Sequence, residues 1–170
     1  MDKHISIGTD IGGDHISCAA VDLNTRQILK DSIFNNQINN QAQAGEIINI
    51  WSETIKNAIS KVPLHQVKGI GIAMPGPFDY LHGICYIKGI EKYKNLYGFN
   101  IGDAIISSLD VPDDFQVRFM NNASAFGVGE ALFGKTYGYS KSMALTIGTG
   151  LGASFIIDGI PVVENEEVPK

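Results

Sequence analysis

The chain has 170 residues, 44% hydrophobic and 18% charged, with 13 Lys and Arg against 18 Asp and Glu for a net charge of −5. That length suffices for one core and the start of a second, and the balance excludes a disordered chain. With no Lys/Arg run, no apolar stretch of spanning length and no signal-peptide pattern in Met1-Asp2-Lys3-His4, neither nucleic acid nor membrane is an expected partner, and a cytoplasmic location is expected.

His4–Thr9 alternates towards Ile5 and Ile7 and predicts a strand; Asp10-Ile11-Gly12-Gly13-Asp14 turns the chain into a second strand, Ile16–Val21. A third strand is predicted over Gln27–Phe34, then a polar loop over Asn35–Gln43. From Ala44 to Val62 the apolar residues Ile48, Trp51, Ile55, Ala58, Ile59 and Val62 recur at helical spacing, and Pro63 ends the helix. Val67–Met74 reads as a strand covered on both faces, stopped by Pro75-Gly76-Pro77. Phe78–Phe99 reads as a long loop. A short helix near Ile101–Leu109, a strand at Phe115–Phe119 and a helix from Asn121 to Leu132 follow. Ser142–Ile147, the turn Gly148–Gly152 and Ala153–Ile157 repeat the opening strand–turn–strand, which suggests a duplicated unit. The segment after Asp158-Gly159 shows no element of its own.

Cys18 and Cys85 lack metal-ligand spacing and read as reduced core thiols. Paired glycines in Asp10-Ile11-Gly12-Gly13 remove two β-carbons, so backbone N–H groups can meet phosphate oxygens. The Asp ahead of them can hold Mg²⁺ through water. The alternative is a hairpin turn that uses Gly for positive φ. Gly148-Thr149-Gly150-Leu151-Gly152 makes a second anion-accepting hairpin. Neither is a P-loop, and a strand rather than a helix after each turn excludes the dinucleotide fingerprint. Two such hairpins facing each other across a cleft would clamp a triphosphate from both sides.

Four segments together resemble the ROK group of repressors and sugar kinases: Gly8-Thr9-Asp10-Ile11-Gly12-Gly13, Gly69 to Asp79 (with Pro75-Gly76-Pro77), Asn121-Asn122-Ala123, and Leu145 to Gly152. Asn95-Leu96 looks like the family's sugar-loop Asn-Leu, and Gly129-Glu130 closes the helix after Asn122 as in family members. The resemblance implies an α/β actin-like ATPase (ribonuclease H-like) fold, with one complete lobe over 1–119 and the start of a second over 120–170. It implies an ATP-dependent kinase of a hexose or amino-sugar hydroxyl, with ATP and Mg²⁺ as cofactors and a homodimer as one assembly. Asp10, Gly12, Gly13, Gly148, Thr149, Gly150 and Gly152 would handle phosphates, Asp10 would hold Mg²⁺ through water, and Gly76, Pro77, Asn95, Asn121 and Asn122 would line the sugar side.

Three departures qualify that expectation. The family's helix opens Asn-Asp-Ala, its Asp accepting the sugar hydroxyl proton; here the position is Asn122, an amide without basicity near neutral pH. Losing a general base costs about 10²–10⁴-fold in rate, so an impaired kinase and a sugar-binding pseudo-kinase or regulator both stand, while Asn121 and Asn122 as plain helix caps are the structural alternative. Asp14 replaces a hydroxyl residue and would repel a triphosphate unless a metal or an outward rotamer relieves it. The family's Glu-x-Gly-His segment and Cys/His zinc site do not occur before Lys170, so no structural zinc is expected, and Met143, Leu145, Ile147, Phe155 and Ile157 are expected to be partly bare. A DNA-binding repressor is disfavoured by a first strand that starts by about residue 4.

Overall fold

The computed structural model describes residues 4–89, 92–112, 115–148 and 150–163. It divides into two compact units, Met1–Phe119 and Met120–Lys170.

The first unit is built on a mixed sheet. β1 (Ile5–Ile11) and β2 (His15–Asp22) form an antiparallel hairpin. β3 (Gln27–Ile28) and β4 (Phe34–Gln37) pair with opposite ends of β2. A single strand over Gln27–Phe34 is therefore not formed. Ser32 is fully buried between the two pieces, its hydroxyl accepting from Ala20 N–H at 2.8 Å and donating to Leu29 C=O at 2.5 Å. A side chain that takes over backbone partners breaks the ladder locally. β4 also occupies part of the Asn/Gln-rich stretch predicted as loop; its residues are largely exposed, so an edge strand there carries no apolar alternation.

Helix α1 (Ala44–Ile59) crosses this sheet, burying Ile47, Ile48, Trp51, Ile55 and Ala58. It ends a turn before Val62, with Ser60 as its C-cap. β5 (Val67–Met74) lies parallel to β1. Within the predicted long loop, β6 (Phe78–Asp79) and β7 (Ile84–Cys85) form a small hairpin, and a 3-10 turn spans Lys94–Leu96. Helix α2 (Ile101–Ser108) is capped by Asn100, whose side chain accepts from Asp103 N–H at 3.1 Å. β8 (Val117–Asn121) completes the order β3-β2-β1-β5-β8. Ile5, Ile7, Ile11, Ile16, Ile70, Ile72 and Met74 from the strands join the α1 residues in the core.

The second unit packs helix α3 (Asn122–Phe133) on a sheet of β9 (Lys141–Ile147), β10 (Leu151–Ile157) and β11 (Ile160–Val162), in the order β11-β10-β9. β11 was not expected. The turn Asp158-Gly159, with positive φ at both residues, folds it back onto β10. The period of two divides the faces: Ala144 and Ile156 are buried, packed close to Gly127 of α3, while Met143, Leu145, Ile147 and Leu151 are exposed. No helix among the described residues is long and apolar enough to cross a membrane.

Candidate functional site

Two turns leave the same edge of the first sheet. Asp10 pairs with Ala73 in parallel register, so the Gly12–Gly13 turn after β1 and the Gly76–Pro77 turn after β5 both stand at the strands' carboxyl ends. Open α/β sheets bind ligands at that edge. The Gly76–Pro77 peptide is cis. Beyond it, Asp79 Oδ1 accepts from the N–H groups of Leu81 and His82 at 3.1 and 3.0 Å, and Oδ2 meets His82 Nδ1 at 2.8 Å. These bonds, the His82 N–H foremost, hold the Asp79 carboxyl below the usual carboxylate range and shape the turn.

Asp10 is exposed at one side. Its carboxyl is held above its ordinary range chiefly by burial against its neighbours, an effect that His15 partly offsets. A raised carboxyl pKa means that ionising Asp10 costs folding free energy, a cost absent at low pH and complete above the folded-state value. Asp10→Asn is therefore expected to raise the urea midpoint at pH 7. The advantage should shrink as pH falls through the folded-state value and vanish below about 4, where Asp becomes protonated in the unfolded chain as well; equal midpoints at pH 7 would contradict this.

The Asp14 carboxylate turns outward, 72% exposed, and meets His15 Nδ1 at 2.9 Å. The His15 ring lies over Gly12, where a β-carbon would overlap it. Cys18 and Cys85 are buried and free. Burial pushes the Cys18 thiol up to about 11 and Cys85 upward too, so neither is a ready nucleophile at neutral pH.

The loop proposed for the sugar is tied down from below. Asn95 Nδ2 donates to the carbonyls of Gln41 and Ala42 at 3.0 and 2.8 Å. Two residues earlier, Tyr93 is fully buried with φ 55°; its hydroxyl donates to Gly12 C=O at 2.7 Å, and its ring meets Trp51 edge-on at 5.4 Å. Asn40 Nδ2 donates to Gly13 C=O. Tyr93 and Asn40 were missed as site residues, because contacts between distant segments leave no local pattern.

In the second unit Asn121 is the N-cap of α3, accepting from Ala123 N–H at 2.9 Å, and Asn122 is the first helical residue. A β-carbon on Gly152 would lie 2.5 Å from Thr146 Oγ1 and 3.0 Å from Ala123 Cβ. Gly152 thus lets the second hairpin close onto the start of α3, beside Asn122. The hairpin bend itself is tight, Gly148 N–H donating to Gly150 C=O at 3.0 Å; Thr149 lies outside the described residues. Among the described residues no three His, Cys, Asp or Glu gather as a metal site.

This α/β arrangement, with glycine turns after the leading strand of each unit's first hairpin, is the actin-like ATPase fold. The ROK family profile matches residues 6–164, and the chain belongs to the ROK family. It is 27% identical over 159 residues to a glucokinase of Thermotoga maritima, covering 94% of this chain and 46% of that protein. It is 25% identical over 154 residues to a xylose repressor of Caldicellulosiruptor bescii, covering 89% of this chain and 36% of that one. The crystal structure of a ROK family glucokinase from Streptomyces griseus in complex with glucose and AMPPNP matches with a TM-score of 0.76 at 25% identity, over 95% of this chain and 47% of that chain. The chain therefore spans less than half the length of each of these relatives.

Proposed function

We propose that this chain carries the sugar loop and the phosphate turns of an ATP-dependent sugar kinase acting on a hexose or amino sugar, with the base position held by Asn122. The observation that carries this reading is the joint anchoring of the Gly12–Gly13 turn and the Asn95 loop at the carboxyl edge of β1 and β5. The 1–119 segment acts as the first lobe and 120–170 as the beginning of the second. The N–H of Gly13 receives phosphate oxygens; those of Gly12 and Gly148 already donate to the carbonyls of His15 and Gly150. Asp10 fits a Mg²⁺ that keeps most of its waters, a single partly exposed carboxylate being what such an ion takes from protein; bound there, the ion would neutralise phosphate charge. Gly76, Pro77, Asn95 and Asn121 shape the sugar side, Asn95 through the amide oxygen that its Nδ2 bonds leave for a hydroxyl. Phosphoryl transfer is mostly positioning and charge stabilisation, so binding outlasts the loss of the base.

Asn122 favours a second reading, a sugar-binding regulator without turnover, to which the repressor relative lends weight. Titration calorimetry with Mg-AMPPNP and a hexose and N-acetylhexosamine panel, beside a coupled ADP-release assay, separates the two. Saturable binding of both ligands with measurable turnover is the expected result. Sugar binding without turnover favours the regulator, and binding of neither ligand refutes both.

A further inference from the structure

Three successive carbonyls of the phosphate turn are held on one side. Gly12 C=O accepts from the Tyr93 hydroxyl at 2.7 Å, Gly13 C=O accepts from Asn40 Nδ2, and Asp14 C=O accepts from Ile38 N–H at 2.7 Å. In a planar trans peptide the N–H of the next residue points opposite to the carbonyl. Fixing the Gly12 and Gly13 carbonyls inward therefore fixes the N–H groups of Gly13 and Asp14 outward, the direction from which an anion can be received.

The partner that fixes Gly12 is not a neighbour in sequence. Tyr93 belongs to the segment that carries Asn95, adopts a left-handed backbone that a non-glycine residue rarely takes, and is wholly enclosed. Its N–H donates to Asn40 C=O at 2.8 Å, so the residue that holds Gly13 is itself held by Tyr93. Asn95 then grips Gln41 and Ala42 in that same segment. The sugar loop, the 38–42 segment and the phosphate turn thus form one hydrogen-bonded body. A ligand that steadies any part of it lowers the ordering cost of the rest.

From this we infer that Tyr93 is a positioning residue that couples the sugar loop to the phosphate turn, so that a sugar bound at Asn95 tightens nucleotide binding at Gly12–Gly13. The inference rests on the sugar-kinase reading for its ligands, though not for the geometry of the turn.

Tyr93→Phe removes the hydroxyl and keeps the ring against Trp51, which makes it the test. Two readouts are taken on the same samples: amide hydrogen exchange without ligand at Ile38 and Tyr93, whose N–H groups donate to Asp14 and Asn40, and Mg-AMPPNP affinity with and without saturating glucose or N-acetylglucosamine. The expected result is faster exchange at both amides, nucleotide affinity reduced about tenfold by the loss of one buried bond, and a sugar-induced gain in affinity that falls towards one. A purely structural tyrosine would leave that gain intact. Wild-type exchange together with a wild-type sugar gain overturns the proposal. If wild type binds no nucleotide, the kinase reading fails, and exchange alone decides whether Tyr93 orients the turn. Should Tyr93→Phe not fold, Asn40→Ala, at a partly exposed side chain, tests the same body through the Gly13 carbonyl: unchanged exchange at Ile38 refutes it.

Discussion

Asn122→Asp is expected to raise sugar phosphorylation by about 10²–10⁴-fold over the unsubstituted protein, the factor a positioned general base supplies. The substitution is isosteric, and it falls on the first residue of α3, where the positive end of the helix favours the ionised carboxylate. That carboxylate would stand beside the second hairpin, because Gly152 brings the hairpin against Ala123. The measurement is ADP release with Mg-ATP over a hexose and N-acetylhexosamine panel, made on the longest product the gene encodes. A rise in turnover with little change in sugar affinity identifies Asn122 as the missing base. No gain on any sugar, with sugar binding retained, leaves the regulator reading in possession.

Trp51→Ala is expected to cost about 3–5 kcal/mol of stability, the range for truncating a large buried aromatic. Trp51 has no exposed surface and lies against Tyr93, so the loss removes a central piece of the α1 face and the support under the Gly12–Gly13 turn together. Against a total stability of about 5–15 kcal/mol for an ordinary domain, urea denaturation should show a midpoint lowered by a large fraction of the whole. Leu81→Ala, at a side chain 86% exposed, is the control and should change little. A midpoint for Trp51→Ala within experimental error of wild type would mean that α1 does not organise the core as described.

How much of this could be read from the chain itself depended on the kind of signal. Val67–Met74 was legible to the residue because a run apolar on both faces ends at a proline. The body of α1 was legible through Ile48, Trp51 and Ile55, and its last turn was not, because the proline lies beyond the point where the backbone already leaves the helix. The break between β3 and β4 was hidden, since it depends on Ser32 reaching Ala20 across the hairpin. β4 was hidden by its Asn and Gln residues, as an exposed edge strand needs no apolar pattern. The glycine turns stood out by composition. What orients the first of them did not: Tyr93 meets Gly12 across 81 positions, and Asn40 sits in a stretch that reads only as polar.

The Asp14 carboxylate illustrates the gap between residue type and placement. By type it opposes a phosphate. In place it is exposed and pairs with His15, beside a turn whose Gly12 and Gly13 carbonyls are held by Tyr93 and Asn40. The glycines of the second hairpin likewise divide in role, Gly152 serving contact with α3 while Gly148 and Gly150 make the bend.

On the proposed reading the Gly12–Gly13 turn receives the phosphates of the nucleotide. The most direct measurement is amide NMR of the glycine-¹⁵N-labelled protein titrated with Mg-AMPPNP. Gly12 and Gly13 should shift along a single saturation curve with a common Kd. Silence at Gly12 and Gly13 when the nucleotide is saturating would contradict a phosphate site at this turn.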